Sequence, residues 1–430
     1  MLTEYTTPGS IEVRSNETLY SLLTQRIERT GEDTVIATRK TGPGRWEQIT
    51  TGEFHRMVLA AAKGFIAFGI RKGDAVSIFS PTRWEWGVLD FALAAIGAVN
   101  VPIYDTDSAP QAERIINDSA VKLAIADNRE RYDRLDSVID NCPTLQRILM
   151  LDGNALGALE GLGVSVSDEE LETRIASVGA DDLATIVYTS GSTGTPKGAE
   201  LTHRNFLSIV RAGFACLPEV IWDDHPRLLL FLPLAHCFAR FIEYCSIGSD
   251  DGVVGFLPDT KSLLPDLRSF KPTYLLGVPR VFEKVYNAAS RKAGMGFKGR
   301  VFLKAAESAR AWSRMQQAGI RPTPKQVAGV RGVGVPHGAR RARPEHPVCG
   351  LRRRAVERRS GAFLLRHRTA DDPGLRTDGD GRAVHRVPCG RQRDRHGRPA
   401  GSGLLGAHLG GRRAAAQGRE RVPRLPQPAR

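Results

Sequence analysis

Eleven consecutive residues concentrate the groups that hold phosphate: Tyr188-Thr189-Ser190-Gly191-Ser192-Thr193-Gly194-Thr195-Pro196-Lys197-Gly198. Glycines let backbone N–H groups approach an anion, hydroxyls donate hydrogen bonds, and Lys197 supplies a point charge. A β-rich run, Ala184-Thr185-Ile186-Val187, leads in, and a helix signal follows at Thr202. The ordinary alternative is a solvent loop rich in Ser, Thr and Gly. The order strand, loop, lysine, helix favours phosphate. The stretch is not a Walker A motif, because Lys197 is followed by Gly198 and preceded by Pro196.

Three further residues have chemical potential. His236 ends Leu232-Pro233-Leu234-Ala235-His236, and Arg240 follows one helical turn later. Arg280 follows the apolar run Tyr274-Leu275-Leu276-Gly277-Val278-Pro279, at a strand end where open α/β sheets place ligands. Each has a plainer reading: a core histidine, a helix brace and a helix-capping arginine. Phe238, Phe241, Ile242, Tyr244, Leu276 and Val278 either line an apolar tunnel or form plain core, and Trp84 and Trp86 read as core.

Positioning such groups takes a scaffold, and the chain reads as α/β. A helix spans 18–29, and a hairpin joins 35–38 to 46–49. Thr51 caps a long helix closed by Gly69. Strands at 75–79, 99–103, 121–126 and 147–151 alternate with helices at 84–98 and 109–119. That alternation predicts mostly parallel sheets flanked by helices. Beyond the loop, strands at 228–233, 253–256 and 274–280 alternate with helices starting at 234 and at 262–270, then 281–291 and 300–317.

Charge divides the chain. Its 430 residues carry a formal +14, yet residues 331–430 hold 24 Arg and no Lys against 8 Asp plus Glu, leaving the first 330 nearly neutral. The six cysteines show no C-x-x-C spacing, so reduced thiols are expected. The polar N-terminus lacks an apolar signal core. The most apolar run, 88–104, is broken by Asp90, Asn100 and Pro102 and reads as a buried helix and strand. A cytoplasmic protein is expected; peripheral membrane association is compatible with these features, and the oligomeric state is not legible.

From about residue 321 onward no structural period persists, and residues 331–430 lack Lys, Ile, Tyr, Trp, Asn and Met altogether. A basic nucleic-acid tail is one reading, but Phe363 is the sole Phe, Tyr or Trp there, and no specific nucleic acid is expected. Out-of-frame translation of GC-rich DNA accounts for the composition better. Shifted by one base, Val348-Cys349-Gly350-Leu351-Arg352-Arg353-Arg354-Ala355 permits Y-A-V-S-G-G-A-P. In the same frame, Gly374-Leu375-Arg376-Thr377-Asp378-Gly379-Asp380 permits G-Y-G-L-T-E-T. A frame change between about residues 320 and 333 is expected, with 321–430 an unstructured Arg/Gly-rich tail.

With these motifs in hand, residues 10–320 resemble the N-terminal adenylation domain of the AMP-forming long-chain fatty-acid–CoA ligases, in the adenylate-forming superfamily. The loop from Tyr188 to Gly198 resembles the family's phosphate signature. The Leu232 to His236 run with Arg240 resembles its second motif. Gly277-Val278-Pro279-Arg280-Val281-Phe282-Glu283-Lys284-Val285 is similar to a segment of the long-chain branch. The resemblance implies ATP-dependent adenylation of a long-chain fatty acid, then transfer to CoA with release of AMP and pyrophosphate. It implies that Ser190, Gly191, Ser192, Thr193, Gly194 and Lys197 hold the β- and γ-phosphates, with Thr189 near Mg²⁺. It also implies that His236, the candidate catalytic residue, marks the boundary between the adenylation and acyl sites, and that His236, Arg240 and Arg280 contact substrate.

On this reading the family's Y-G-x-T-E motif is expected to survive only out of frame at 375–379, and the C-terminal lid with its lysine is expected to be missing. Little or no ligase activity is therefore expected of this copy. Two alternatives stay open: a fatty acyl-AMP ligase, and a non-enzymatic adenylation-fold remnant whose basic tail binds RNA or anionic lipid.

Overall fold

The structure is a computed structural model that describes residues 12–189, 196–217, 221, 225–258, 260–294 and 296–317, and the backbone of 363–366. Its elements, in chain order, are α1 (Leu19–Thr30), β1 (Val35–Gly42), β2 (Arg45–Thr50), α2 (Thr51–Phe68), β3 (Ala75–Phe79), α3 (Trp84–Ile96), β4 (Val99–Ile103), α4 (Ala109–Asp118), β5 (Leu123–Ala126), α5 (Arg129–Asp136), β6 (Arg147–Met150), α6 (Ala155–Gly163), α7 (Asp168–Ala176), β7 (Leu183–Thr189), β8 (Lys197–Thr202), α8 (His203–Cys216), β9 (Arg227–Leu230), α9 (Cys237–Gly248), β10 (Val253–Phe256), α10 (Leu263–Phe270), β11 (Tyr274–Gly277), α11 (Pro279–Ala293), α12 (Phe297–Gln317) and β12 (Phe363–Arg366).

The strands form two sheets, ordered β12-β11-β9-β10-β1-β2 and β6-β5-β3-β4-β7-β8. Parallel pairs dominate the interior of both, and antiparallel pairs close the edges at β1/β2, β7/β8 and β11/β12. The expected α/β class with mostly parallel sheets is what forms. One edge departs from expectation: within 321–430, the short apolar run Phe363-Leu364-Leu365 lies in β12, antiparallel to β11. The remainder of that tail lies outside the described residues.

Helix α3 has a low polar content and is buried on every side from Trp86 to Ile96, which is how a helix without an amphipathic stripe must sit. It touches β4 of one sheet and β1 of the other. Helix α9 touches β9 and β10 and bonds to β7. The two helices therefore lie between the sheets.

Local rules explain the element ends. Gly69 and Gly97 adopt the left-handed conformation that closes α2 and α3. The cap of α2 is Thr50 rather than Thr51: Thr50 accepts from the Glu53 N–H in a capping box, while Thr51 is buried and bonds to Thr34. Helix α9 begins at Cys237, not 234, because Leu234 and Ala235 form a turn that leaves His236 as its cap. The strand at 274 stops at Gly277, and Pro279 opens α11, the first-turn position proline favours.

Candidate functional site

Strands β7 and β8 make a hairpin in which Thr189 pairs with Lys197 and Tyr188 with Gly198. Six of the predicted phosphate ligands or their neighbours, Ser190, Gly191, Ser192, Thr193, Gly194 and Thr195, lie between β7 and β8 in the sequence, outside the described residues. The two described ligands flank that segment. Thr189 ends β7 and Lys197 starts β8, and both are exposed. Lys197 thus opens a strand; the helix α8 starts six residues later, where Thr202 caps it in a box with Asn205.

The first and last residues of the motif do structural work. Tyr188 donates to Asp118 at 2.6 Å and lies 2.7 Å from the Ser119 hydroxyl, tying the hairpin to α4. Burial and the bond to Asp118 push its phenol up to about 12. Opposite it, a Cβ on Gly198 would sit 2.7 Å from the Ile186 side chain and 3.1 Å from the Tyr188 ring. Gly198 leaves the space that the Tyr188 ring occupies, a fit that the phosphate reading of these residues did not identify.

His236 caps α9 through its own ring: Nδ1 accepts from the Phe238 N–H at 3.2 Å, and the side chain is exposed. The segment before it is pinned to the other sheet, since Thr82, just past β3, donates to the Leu232 carbonyl at 2.6 Å. Tyr104 lies just past β4. Burial raises its phenol pKa, and Cys237 and Asp107 add to the rise. Since β3, β4 and β7 run parallel and Thr82 lies past the C-terminal end of β3, the segment leading to His236 and the mouth of the hairpin lie on the C-terminal side of this sheet, the side where such sheets bind ligands.

Arg240, for which the resemblance implies a substrate contact, is buried among protein groups. Its side chain is 0% exposed and ion-paired with Asp90 at 2.6 Å. It also donates to the Thr185 hydroxyl at 2.8 Å and to the Tyr244 hydroxyl at 3.0 Å. Rings of Trp86 and Phe206 lie 5.2 and 5.1 Å from the guanidinium carbon. Burial opposes its charge, but Asp90 and Tyr244 outweigh it, and the net shift is upward. Fully buried and held by these groups, Arg240 ties α9 to α3 and β7. Next to it, Glu243 is fully buried, and both its carboxyl oxygens lack a hydrogen-bond partner. Burial, then the nearby Asp90, raises its pKa well above the usual range and favours the neutral acid.

Arg280 is the second residue of α11, inside a helix rather than at a loop, and its side chain lies outside the described residues. Of the apolar set, Ile242, Tyr244 and Leu276 are core, Phe238 stacks on Phe241, and Val278 is exposed. Trp86 is core, as expected. Among the described residues no group of three His, Cys, Asp or Glu side chains is arranged to hold a metal, and no helix is long and apolar enough to cross a membrane.

Comparison with known proteins bears on this geometry. The family model described as AMP-binding enzyme matches residues 23–332. The long-chain-fatty-acid--CoA ligase FadD15 of Mycobacterium bovis is 41% identical over 313 residues, covering 72% of this chain and 52% of that protein. The peroxisomal long chain acyl-CoA synthetase 6 of Arabidopsis thaliana is 32% identical over 275 residues, covering 60% of this chain and 38% of its own. A solved long-chain-fatty-acid-CoA ligase (FadD1) from Archaeoglobus fulgidus has the same fold, with a TM-score of 0.55 at 19% identity, over 67% of this chain and 57% of that one. The chain spans about half the length of the FadD15 relatives it matches.

Proposed function

Because this chain belongs to the AMP-binding enzyme family, we propose that it derives from a long-chain fatty-acid–CoA ligase and carries that enzyme's ATP polyphosphate site. The observation that carries the reading is the hairpin: Thr189 and Lys197 face each other across its mouth, exposed, on the ligand side of the sheet. Its strand pairing presents one hydroxyl and one ammonium to the same anion. The printed names and identities of the relatives support the acyl-CoA ligase assignment.

In this reading residues 190–194 and Lys197 bind the β- and γ-phosphates. The fatty-acid carboxylate attacks the α-phosphorus, pyrophosphate leaves, and the CoA thiol then displaces AMP. The protein's part is in-line positioning and charge neutralisation. In this reading His236, exposed at the head of α9, would mark the boundary between the adenylation and acyl sites. Mg²⁺ would arrive with ATP, and the Thr189 hydroxyl is the protein oxygen among the described residues that could meet it; such an ion needs few protein ligands because phosphates and waters fill its shell. Exposure of the Thr189 side chain fits that use.

We further propose that the reading frame changes near residue 330. The family match ends at residue 332, inside the interval expected from composition, which supports this. The polypeptide would then bind ATP and turn over little substrate.

Two measurements test the proposal. Calorimetric titration with ATP is expected to give saturable binding that weakens at least tenfold in Lys197→Ala, the loss of a hydrogen bond to a charged group at about 1.5–3 kcal/mol. AMP release with oleate and CoA is expected to stay at background. Binding unchanged in Lys197→Ala would remove the phosphate reading. Turnover matching an intact ligase, or DNA that reads through codons 315–335 in one frame, would remove the frame change.

A further inference from the structure

We infer that Asp90 is a positioning residue for the nucleotide site: it fixes the spacing between α9, which carries His236, and β7, which carries Thr189. The inference rests on the nucleotide reading above and concerns residues outside the 190–195 segment. One carboxylate on α3 receives three donors: Arg240 Nη2 and Asn100 Nδ2, both at 2.6 Å, and the Tyr244 hydroxyl. Arg240 carries the connection outward in two directions. Its Nη1 bonds to Thr185 on β7, four residues before Thr189, and its backbone N–H reaches the His236 carbonyl at 3.4 Å. Thr185 in turn donates to the Asn100 carbonyl on β4.

Apolar side chains would hold these elements together at less cost, since desolvating an ion pair takes several kcal/mol per ion. What the polar web adds is fixed length and direction. Packed apolar faces tolerate a slide along the helix axis; a guanidinium held at three hydrogen bonds between two aromatic rings does not. In the nucleotide reading ATP would reach from the hairpin to the head of α9, whereas inorganic tripolyphosphate would engage the hairpin alone. Loss of the spacer therefore weakens the first ligand and spares the second, a distinction general destabilisation would not produce.

The test compares the full 430-residue chain with Asp90→Asn by titration with ATP and with inorganic tripolyphosphate, each with Mg²⁺. The expected result is an ATP Kd raised tenfold or more and a tripolyphosphate Kd within twofold of wild type. Equal weakening of both ligands, or no change in either, overturns the inference while leaving the nucleotide reading intact. Wild-type chain that binds neither ligand overturns both. Should circular dichroism show Asp90→Asn unfolded, Thr185→Val decides, because it keeps the Asp90–Arg240 ion pair and removes only the two bonds of the Thr185 hydroxyl, from Arg240 and to the Asn100 carbonyl. Selective weakening of ATP in Thr185→Val supports the inference, and unchanged ATP binding overturns it.

Discussion

Thr185 and Thr189 stand four residues apart on β7, the first fully buried and the second exposed. Around Thr185 the protein fixes its polar side chains on one another: Arg240, Asp90, Asn100 and Tyr244 are joined to it and to one another by hydrogen bonds. Around Thr189 the strand opens, and Lys197 faces it with its side chain in solvent. The buried end governs stability and alignment, whereas the open end holds groups that a ligand can use. Substitutions at the two ends should therefore separate folding from binding.

The largest effect is expected at the buried end. Arg240→Met leaves Asp90 desolvated without its cation and should cost about 3–5 kcal/mol, read from the urea midpoint. Equal stability to wild type would erase the contrast between the two ends.

Acid should act on the same buried region. His203, at the start of α8, accepts the Leu19 N–H on Nδ1 at 3.2 Å, and burial lowers its pKa from 6.5 to about 4. The unfolded chain takes up a proton below 6.5 that the folded chain refuses until about 4. Stability from this group is thus present above the unfolded value and falls as pH drops toward the folded one. Between pH 7 and 5 it amounts to about 2 kcal/mol, and a urea midpoint that stays flat over that range would contradict it.

Intermediate in size is Gly198→Ala, in the hairpin between the two ends. The added Cβ crowds Ile186 and Tyr188, with a cost of about 1–3 kcal/mol by thermal or urea unfolding. The smallest stability effect belongs to Lys197→Ala, within about 0.5 kcal/mol, although it carries the largest loss of ATP affinity at the open end. A large unfolding shift there would mean that the lysine is structural after all.

Much of the scaffold was legible because its signals are local. The five-residue strands β3 and β4 fall where apolar, β-branched runs predict them, and Gly69 and Gly97 end their helices as expected. Helix α5 was not visible: Arg129 to Asp136 is almost wholly charged and buries only Leu135. Strand β8 escaped because half of its pairing partner's face is polar and its own side chains, Lys197 to Glu200, are exposed.

The site was legible by type but not by role. Asp90 and Asn100 entered the sequence reading only as interruptions of an apolar run, yet they bond to each other and to the centre of the web. A charged residue inside an otherwise apolar helix was the available signal. Its partner Arg240 lies 150 residues away, beyond the reach of any local pattern. Tyr188 and Gly198, read as parts of a phosphate loop, are explained by direct pairing across strands.

The order of strands in the β1-containing sheet sets a timetable for synthesis. Strand β1 emerges early with its antiparallel mate β2, but its other neighbour is β10, with Ala37 opposite Val254. At roughly 5–20 residues per second, the ribosome needs about ten to forty seconds to deliver that neighbour. Through that interval the edge of β1 stays unpaired and open to other chains. The β3–β6 portion of the second sheet, drawn from residues 75–150, can close long before. Chaperone occupancy on the nascent chain should accordingly persist past the completion of β6 and fall only after residue 256 clears the exit tunnel.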